Sequence, residues 1–231
     1  MSFELAGPLV WPGLTLLAYL AGRAVQRRLG GSALANPVLI ALGIISGLII
    51  ATHIPYGRYF AAAQPIHLLL GPATVALAVP LARNLHHIRK CARAVTLALV
   101  TGGATAMVTA VGIVFILGSP RVIGMTITPK SVTSPIAMGL AEEIGGIPAL
   151  TTVLVIASGI VASALGPSVF RLLKIKDWRA EGLAAGVAGG GIGSATIAVR
   201  NGLAGAFAAV GMGLNGTLTT LLAPLAPLIW K

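Results

Sequence analysis

The chain has 231 residues, 56% of them hydrophobic and 9% charged, with a mean hydropathy of +0.95. A soluble domain carries about 25% charged residues, so this composition excludes a secreted enzyme, a nucleic-acid-binding module and a disordered regulator. It points to an all-α polytopic membrane protein, whose length is used up by seven or eight crossings at ~20 residues each. The net charge of +11 and the pI near 11.2 do not argue for nucleic acid. The basic residues stand in short clusters between apolar runs, which is the positive-inside pattern. The single cysteine, Cys91, excludes an intramolecular disulfide and a thiolate metal site.

In chain order, apolar runs predict seven transmembrane helices at roughly 5–21, 37–52, 66–81, 94–117, 147–170, 182–199 and 202–230. A shorter apolar piece at 131–141 lies between the fourth and fifth. The first run is not a cleavable signal, because its basic residues follow the apolar stretch. With the N-terminus outside and the C-terminus inside, twelve of the 16 basic residues fall on the inside. They include Arg23, Arg27, Arg28, Arg83, Arg89, Lys90, Arg93, the Arg171–Arg179 cluster and Lys231, leaving Arg58, Arg121, Lys130 and Arg200 outside. This bias sets the orientation. It also makes 131–141 a re-entrant half-helix, since a full crossing would carry the Arg171–Arg179 cluster outside. Spans two to four and five to seven then have opposite senses, the pattern of inverted three-helix repeats. The organisation is a single membrane domain: an N-terminal helix (5–35), a first repeat (36–118), a re-entrant segment (128–143) and a second repeat (147–231).

The central helix of each repeat is predicted to be broken. In the third span, Gln64-Pro65 opens the run and Gly71-Pro72 interrupts it, with Pro80 near the end. Proline removes a donor and clashes with the preceding turn. In the sixth span, Gly189, Gly190, Gly191 and Gly193 precede Ser194 and Thr196, too many glycines for a rigid continuous helix. Irregular backbone at membrane depth is tolerated where it is buried or lines a polar cavity, and paired breaks mark transport sites. Gly43, Gly47, Gly102, Gly112, Gly211 and Gly213 are read as packing positions.

The segment Thr128-Pro129-Lys130-Ser131-Val132-Thr133-Ser134-Pro135 reads as a helix start. A helix beginning near Ser131 would present free N–H groups and its positive dipole end, to which Lys130 adds a charge and Ser131, Thr133 and Ser134 add hydroxyls. That set suits a carboxylate. The same residues also fit a Lys130 that snorkels to headgroups above a capped helix. Glu142 and Glu143 are expected to cap the re-entrant piece at the outer surface. No Ser-His-Asp, Cys-His or metal-ligand set can be assembled, so no enzyme activity and no cofactor are expected.

The run Pro129-Lys-Ser-Val-Thr-Ser-Pro-Ile-Ala137 resembles the P-K-S-V-T-T-P-I-A signature of the LrgB/CidB family of bacterial membrane proteins. Asn36-Pro37, Gln64-Pro65, Gly71–Leu81, Gly145–Ala149, Gly166-Pro167 and Gly182–Gly186 extend the resemblance in order from about residue 15 to about 228. It implies a bacterial-type inner membrane location and two functional traditions. One is antiholin-like or holin-like control of murein hydrolase export and lysis beside a small LrgA/CidA-type partner. The other is short-carboxylate transport, as in a plant chloroplast relative that is a glycolate/glycerate translocator. Where relatives commonly show A-S-H-A-I-G-T-A, this chain has Ala188–Ala195 with Gly190 at the histidine position, so a proton relay through that histidine is not expected here.

Together these readings predict an alternating-access transporter of small organic anions such as glycolate, glycerate or pyruvate. The substrate carboxylate is expected at Lys130–Ser134 and Gly189–Ser194, with Gln64 and Pro72 on the opposing wall. The alternative is a holin/antiholin-like component of lysis control. The bilayer, a second copy of the chain and an LrgA/CidA-type protein are the expected partners.

Overall fold

The computed structural model describes residues 10–29, 35, 37–69, 72, 82 and 85–230. Among the described residues the chain is helical and contains no strand. It divides into two compact units, Met1–Ala76 and Leu77–Lys231, and each is taken by itself.

The first unit contains α1 (Val10–Arg28), α2 (Pro37–Thr52), α3 (Tyr56–Ala62) and α4 (Gln64–Leu68). α1 runs past the expected end at Ala21, because Arg23, Gln26, Arg27 and Arg28 are good helix formers and cations suit a helix C-terminus. α2 coincides with the predicted second run. The two helices touch where α1 has no side chain: a Cβ on Gly22 would lie 2.6 Å from the Pro37 carbonyl oxygen. Trp11 meets Tyr59 edge-on at 5.5 Å, and the Tyr59 hydroxyl lies 3.2 Å from Thr15 Oγ1. Gln64 opens α4 and Pro72 is exposed. Most of the predicted third span, Gly71 and Pro80 included, lies outside the described residues.

The second unit contains α5 (Leu85–Lys90), α6 (Ala92–Ile116), α7 (Arg121–Ile127), α8 (Ser134–Glu143), α9 (Pro148–Leu172), α10 (Trp178–Arg200) and α11 (Gly202–Leu222), then a 3₁₀ segment (Ala223–Trp230). Among the described residues four stretches are long and apolar enough to cross a membrane: 92–116, 148–172, 178–200 and 202–229.

The third of these stretches, α10, is not straight. A straight helix of 23 residues would hold its ends about 33 Å apart at 1.5 Å per residue. Yet the Arg200 guanidinium carbon lies 5.5 Å from the centre of the Trp178 ring. A Cβ on Gly193 would fall on the carbonyl oxygen of Ala185, eight residues earlier, and Ile197 packs with Trp178 and Ala185. The reversal occurs at Gly190, whose φ of 52° and ψ of −135° belong to glycine territory. α10 is therefore a hairpin of two arms, 178–189 and 191–200. This corrects the predicted sixth crossing at 182–199: the segment is long and apolar enough to span, but it returns to the end from which it started.

The stretch 121–143 also doubles back. α7 lies beside the start of α9, where Thr151 Oγ1 donates to the Thr126 carbonyl at 2.9 Å and the Ile147 N–H donates to Thr126 Oγ1 at 2.9 Å. The chain then advances along α9 until the Lys130 carbonyl accepts from Ser158 Oγ at 2.9 Å. α8 returns along α9, packing Val132 and Ala137 on Val155. Its helix begins at Ser134, with Thr133 at the N-cap position and Pro135 in the first turn. That is three residues later than the start predicted near Ser131, since proline suits the first turn of a helix.

These contacts fix the directions within the unit. α6 starts beside Arg179, whose guanidinium donates to Cys91 Sγ at 3.3 Å, and ends at the α7 end. α9 runs the opposite way, and α11 runs with α6: Ala204 lies against Gly182, and Gly216 lies 3.1 Å, measured from its Cβ position, from Ile136 of α8. The 3₁₀ segment packs against α7. The C-terminal stretch thus lies at the end opposite the Arg171–Arg179 cluster, which corrects the expectation that both share one side. The displacement follows from α10, which reverses and so removes one traverse.

Candidate functional site

The tips of the two hairpins meet. Ser158 and Gly159 stand about 15 Å along α9 from Pro148, near its middle. Ser158 holds the Lys130 carbonyl, while a Cβ on Gly159 would lie 3.0 Å from the Gly189 carbonyl oxygen. Across the tips, a Cβ on Gly190 would lie 3.4 Å from the Val132 carbonyl oxygen. The structure thus brings the 130–133 turn and Gly189–Gly190 together.

The first tip is held by polar side chains. Asn215 of α11, 1% exposed, donates from Nδ2 to the Ser131 carbonyl at 2.9 Å and to the Val187 carbonyl at 3.3 Å. One amide therefore ties both hairpins to α11. Its Oδ1 has no hydrogen-bond partner among the described residues and occupies the space that Gly103 of α6 leaves by lacking a Cβ. Lys130 Nζ donates to Ser131 Oγ at 3.0 Å, which places the ammonium on the turn itself. Thr133 makes no side-chain cap to α8.

The remaining predicted residues divide by role. Gly193 is a packing position between the arms, and the buried Ser194 donates to the Ala208 carbonyl at 3.3 Å, so its hydroxyl serves the contact with α11. Ser134 opens α8, and Gly191 has nothing within 4 Å of its Cβ position. Gln64 and Pro72 belong to the first unit and are described only there. Of the glycines read as packing positions, Gly211 fits: its Cβ would lie 2.7 Å from the Leu183 carbonyl oxygen. Gly43, Gly47, Gly112 and Gly213 have nothing within 4 Å of their Cβ positions among the described residues. Glu142 and Glu143 are exposed at the end of α8.

Asn215 and Ser158 were not singled out from the sequence. The signal for Asn215 was available, because an amide in an apolar run must find partners at membrane depth. Ser158 gave none, since serine in a membrane helix commonly bonds its own preceding turn, as Ser158 also does to Val155 at 3.0 Å.

What the tips offer chemically follows from helix geometry. α8 and the second arm of α10 both begin at the tips, and the first N–H groups of a helix lack intrahelical partners. Two positive dipole ends therefore sit at the turn that carries Lys130. A cleft of about 280 Å³ lies elsewhere, between α9 and the second hairpin, and its lining is almost wholly apolar.

The apolar helices, the two doubled-back segments and their buried polar contacts define a polytopic helical membrane protein. The chain belongs to the LrgB-like family, whose model matches residues 15–229. It is 31% identical over 211 residues to an uncharacterized protein of Haemophilus influenzae, covering 91% of each chain. It is likewise 31% identical over 211 residues to the uncharacterized protein YwbG of Bacillus subtilis, covering 91% of this chain and 93% of the relative. An antiholin-like protein LrgB of Bacillus mycoides is 26% identical over 212 residues, 92% of each. No solved structure matches the chain.

Proposed function

We propose that the chain is a secondary transporter of small organic anions, with the meeting hairpin tips as its substrate site. The observation that carries this reading is the convergence of Val132 and Gly190 near the middle of α9, with Lys130 on the turn. In a bilayer of ~30 Å hydrocarbon thickness, that depth is the midplane, where secondary transporters place their sites on broken helices. The hairpins enter from opposite faces as re-entrant segments. α6 with the first hairpin and α9 with the second form an inverted pair in this reading, over 92–143 and 148–200. A carboxylate at the tips receives the helix N-termini and the Lys130 ammonium, and it reaches them when the tips part to one side or the other. Glycolate, glycerate and pyruvate are the substrate class.

The orientation belongs to the same proposal. In the second unit Arg89, Lys90, Arg93, Arg171, Lys174, Lys176, Arg179 and Arg200 fall at one end, and Arg121 stands at the other. The positive-inside rule places the former end in the cytoplasm, and an LrgA/CidA-type small protein is the partner in the membrane.

A second reading has its own support. The name of the Bacillus mycoides relative, antiholin-like protein LrgB, favours a component that regulates lysis over a transporter. Proteoliposomes separate the two. Transport predicts saturable uptake of labelled glycolate or pyruvate, reduced at least about ten-fold by Lys130→Ala, on the scale of one lost charge-assisted hydrogen bond, and abolished by Gly190→Leu. Uptake no greater than in protein-free vesicles, or unchanged in both variants, would overturn it. A non-saturable leak of solutes of either charge would favour the antiholin-like reading.

A further inference from the structure

The cleft between α9 and the second hairpin is not part of the tip site. It extends along α9 from Val161 to Phe170 and is faced by Ala184, Ala188 and Gly193 of the hairpin. The hairpin side is shallow because these residues are small, and Gly166 and Pro167 line the facing stretch of α9. From Val161 to Phe170 the helix rises about 14 Å, close to one leaflet of a ~30 Å hydrocarbon core. At its far end the cleft reaches Arg200, the last residue of the hairpin, whose guanidinium lies over the Trp178 ring. A wall of aliphatic side chains gives a small carboxylate nothing to bond with. A hydrocarbon chain fits it, and the cation at the mouth is placed for a negative headgroup.

We infer that this cleft is a binding site for an anionic phospholipid, with one acyl chain between α9 and the second hairpin and the headgroup phosphate on Arg200. Selectivity comes from the headgroup. An acyl chain leaving the bilayer for an apolar cleft exchanges one hydrocarbon environment for another, so chain burial is close to neutral. One basic residue at a membrane surface favours an anionic lipid about five-fold. Asp177 does not compete for Arg200, because its carboxylate is taken by the Arg179 guanidinium, 2.6 Å away. The inference depends on the membrane placement of the second unit and not on transport. Its consequence is mechanical: the lipid chain lies against the hairpin that carries Gly190, so lipid composition acts on the tips.

The test is quenching of Trp178 fluorescence in the full chain carrying Trp11→Phe and Trp230→Phe, reconstituted in phosphatidylcholine vesicles. Phosphatidylglycerol or phosphatidylcholine brominated near the top of one acyl chain is titrated in. The expected result is steep, saturable quenching by the anionic lipid at low mole fraction, about five-fold more effective than the neutral one. Arg200→Gln is expected to remove the difference and Arg200→Lys to retain it. Ala188→Leu, which fills the cleft, is expected to lower quenching by both lipids. Equal quenching by the two lipids in the parent chain overturns the site. So does a preference that survives Arg200→Gln, or no quenching by either lipid. No flux is measured, so failure here leaves the transport proposal to its own experiment.

Discussion

The two hairpins solve the same problem in different ways. Each must turn the backbone near the middle of α9, where free polar groups are costly. The first does so with a turn of several residues, stitched from outside by Ser158 to the Lys130 carbonyl and by Asn215 to the Ser131 carbonyl. The second turns at one residue, Gly190, and its arms are held by close backbone approach. A Cβ on Gly193 would fall on the Ala185 carbonyl oxygen, and Cβ atoms on Gly182 and Gly186 would fall on those of Ala204 and Ala208 in α11. Hydrogen bonds dominate at the first tip, and missing side chains at the second, where Asn215 and Ser194 add only long side-chain bonds of 3.3 Å to the contact with α11. The first is consequently rich in functional groups, whereas the second is shaped by what glycine permits.

This contrast can be broken from either side. The largest effect is expected for Gly186→Leu, which drives a side chain into the α11 backbone. Overpacking costs typically 1–3 kcal/mol and occasionally more. With backbone on the receiving side we expect more than about 3 kcal/mol, read as loss of folded protein in a thermal or detergent-denaturation assay. Gly191→Leu, at a position with nothing within 4 Å, is expected to fold normally in the same assay. A smaller loss is expected for Asn215→Ala, which leaves the Ser131 and Val187 carbonyls without their side-chain donor. Unsatisfied buried groups cost about 1–3 kcal/mol, and denaturation should show a loss in that range. A loss below about 0.5 kcal/mol would mean that Asn215 does not tie the hairpins together.

How much of this was legible in the sequence depended on whether the physical signal was local. The 128–135 motif and the Gly189–Gly193 cluster were visible because proline, hydroxyl and glycine patterns act through the backbone around them, and the structure places irregular backbone at both. The reversal of α10 was not visible. A hydropathy window measures length and apolarity, and a 23-residue hairpin satisfies it as well as a 23-residue span. Contacts across the turn distinguish them, such as the pairing of Gly193 with Ala185 and of Arg200 with Trp178. The same blindness puts the 223–230 stretch at the end of the Arg171–Arg179 cluster in the sequence reading, because each misread traverse inverts everything after it. The charge pattern did not expose the error. Reversing α10 carries Arg200 to the basic end, so the described residues keep a strong charge bias. Asn215 was hidden for a different reason: its significance lies in two carbonyls, 84 and 28 residues away in sequence.

The central claim is that α10 enters and leaves on one side of the membrane. Single-cysteine labelling tests it most directly. In a Cys91→Ser background, Lys176→Cys, Arg200→Cys and Arg121→Cys are each exposed to a membrane-impermeant maleimide added to intact cells or to inverted vesicles. The account predicts that positions 176 and 200 are labelled from the same side and position 121 from the opposite one. Labelling of 200 together with 121, and apart from 176, would show that α10 crosses the bilayer and would contradict the account.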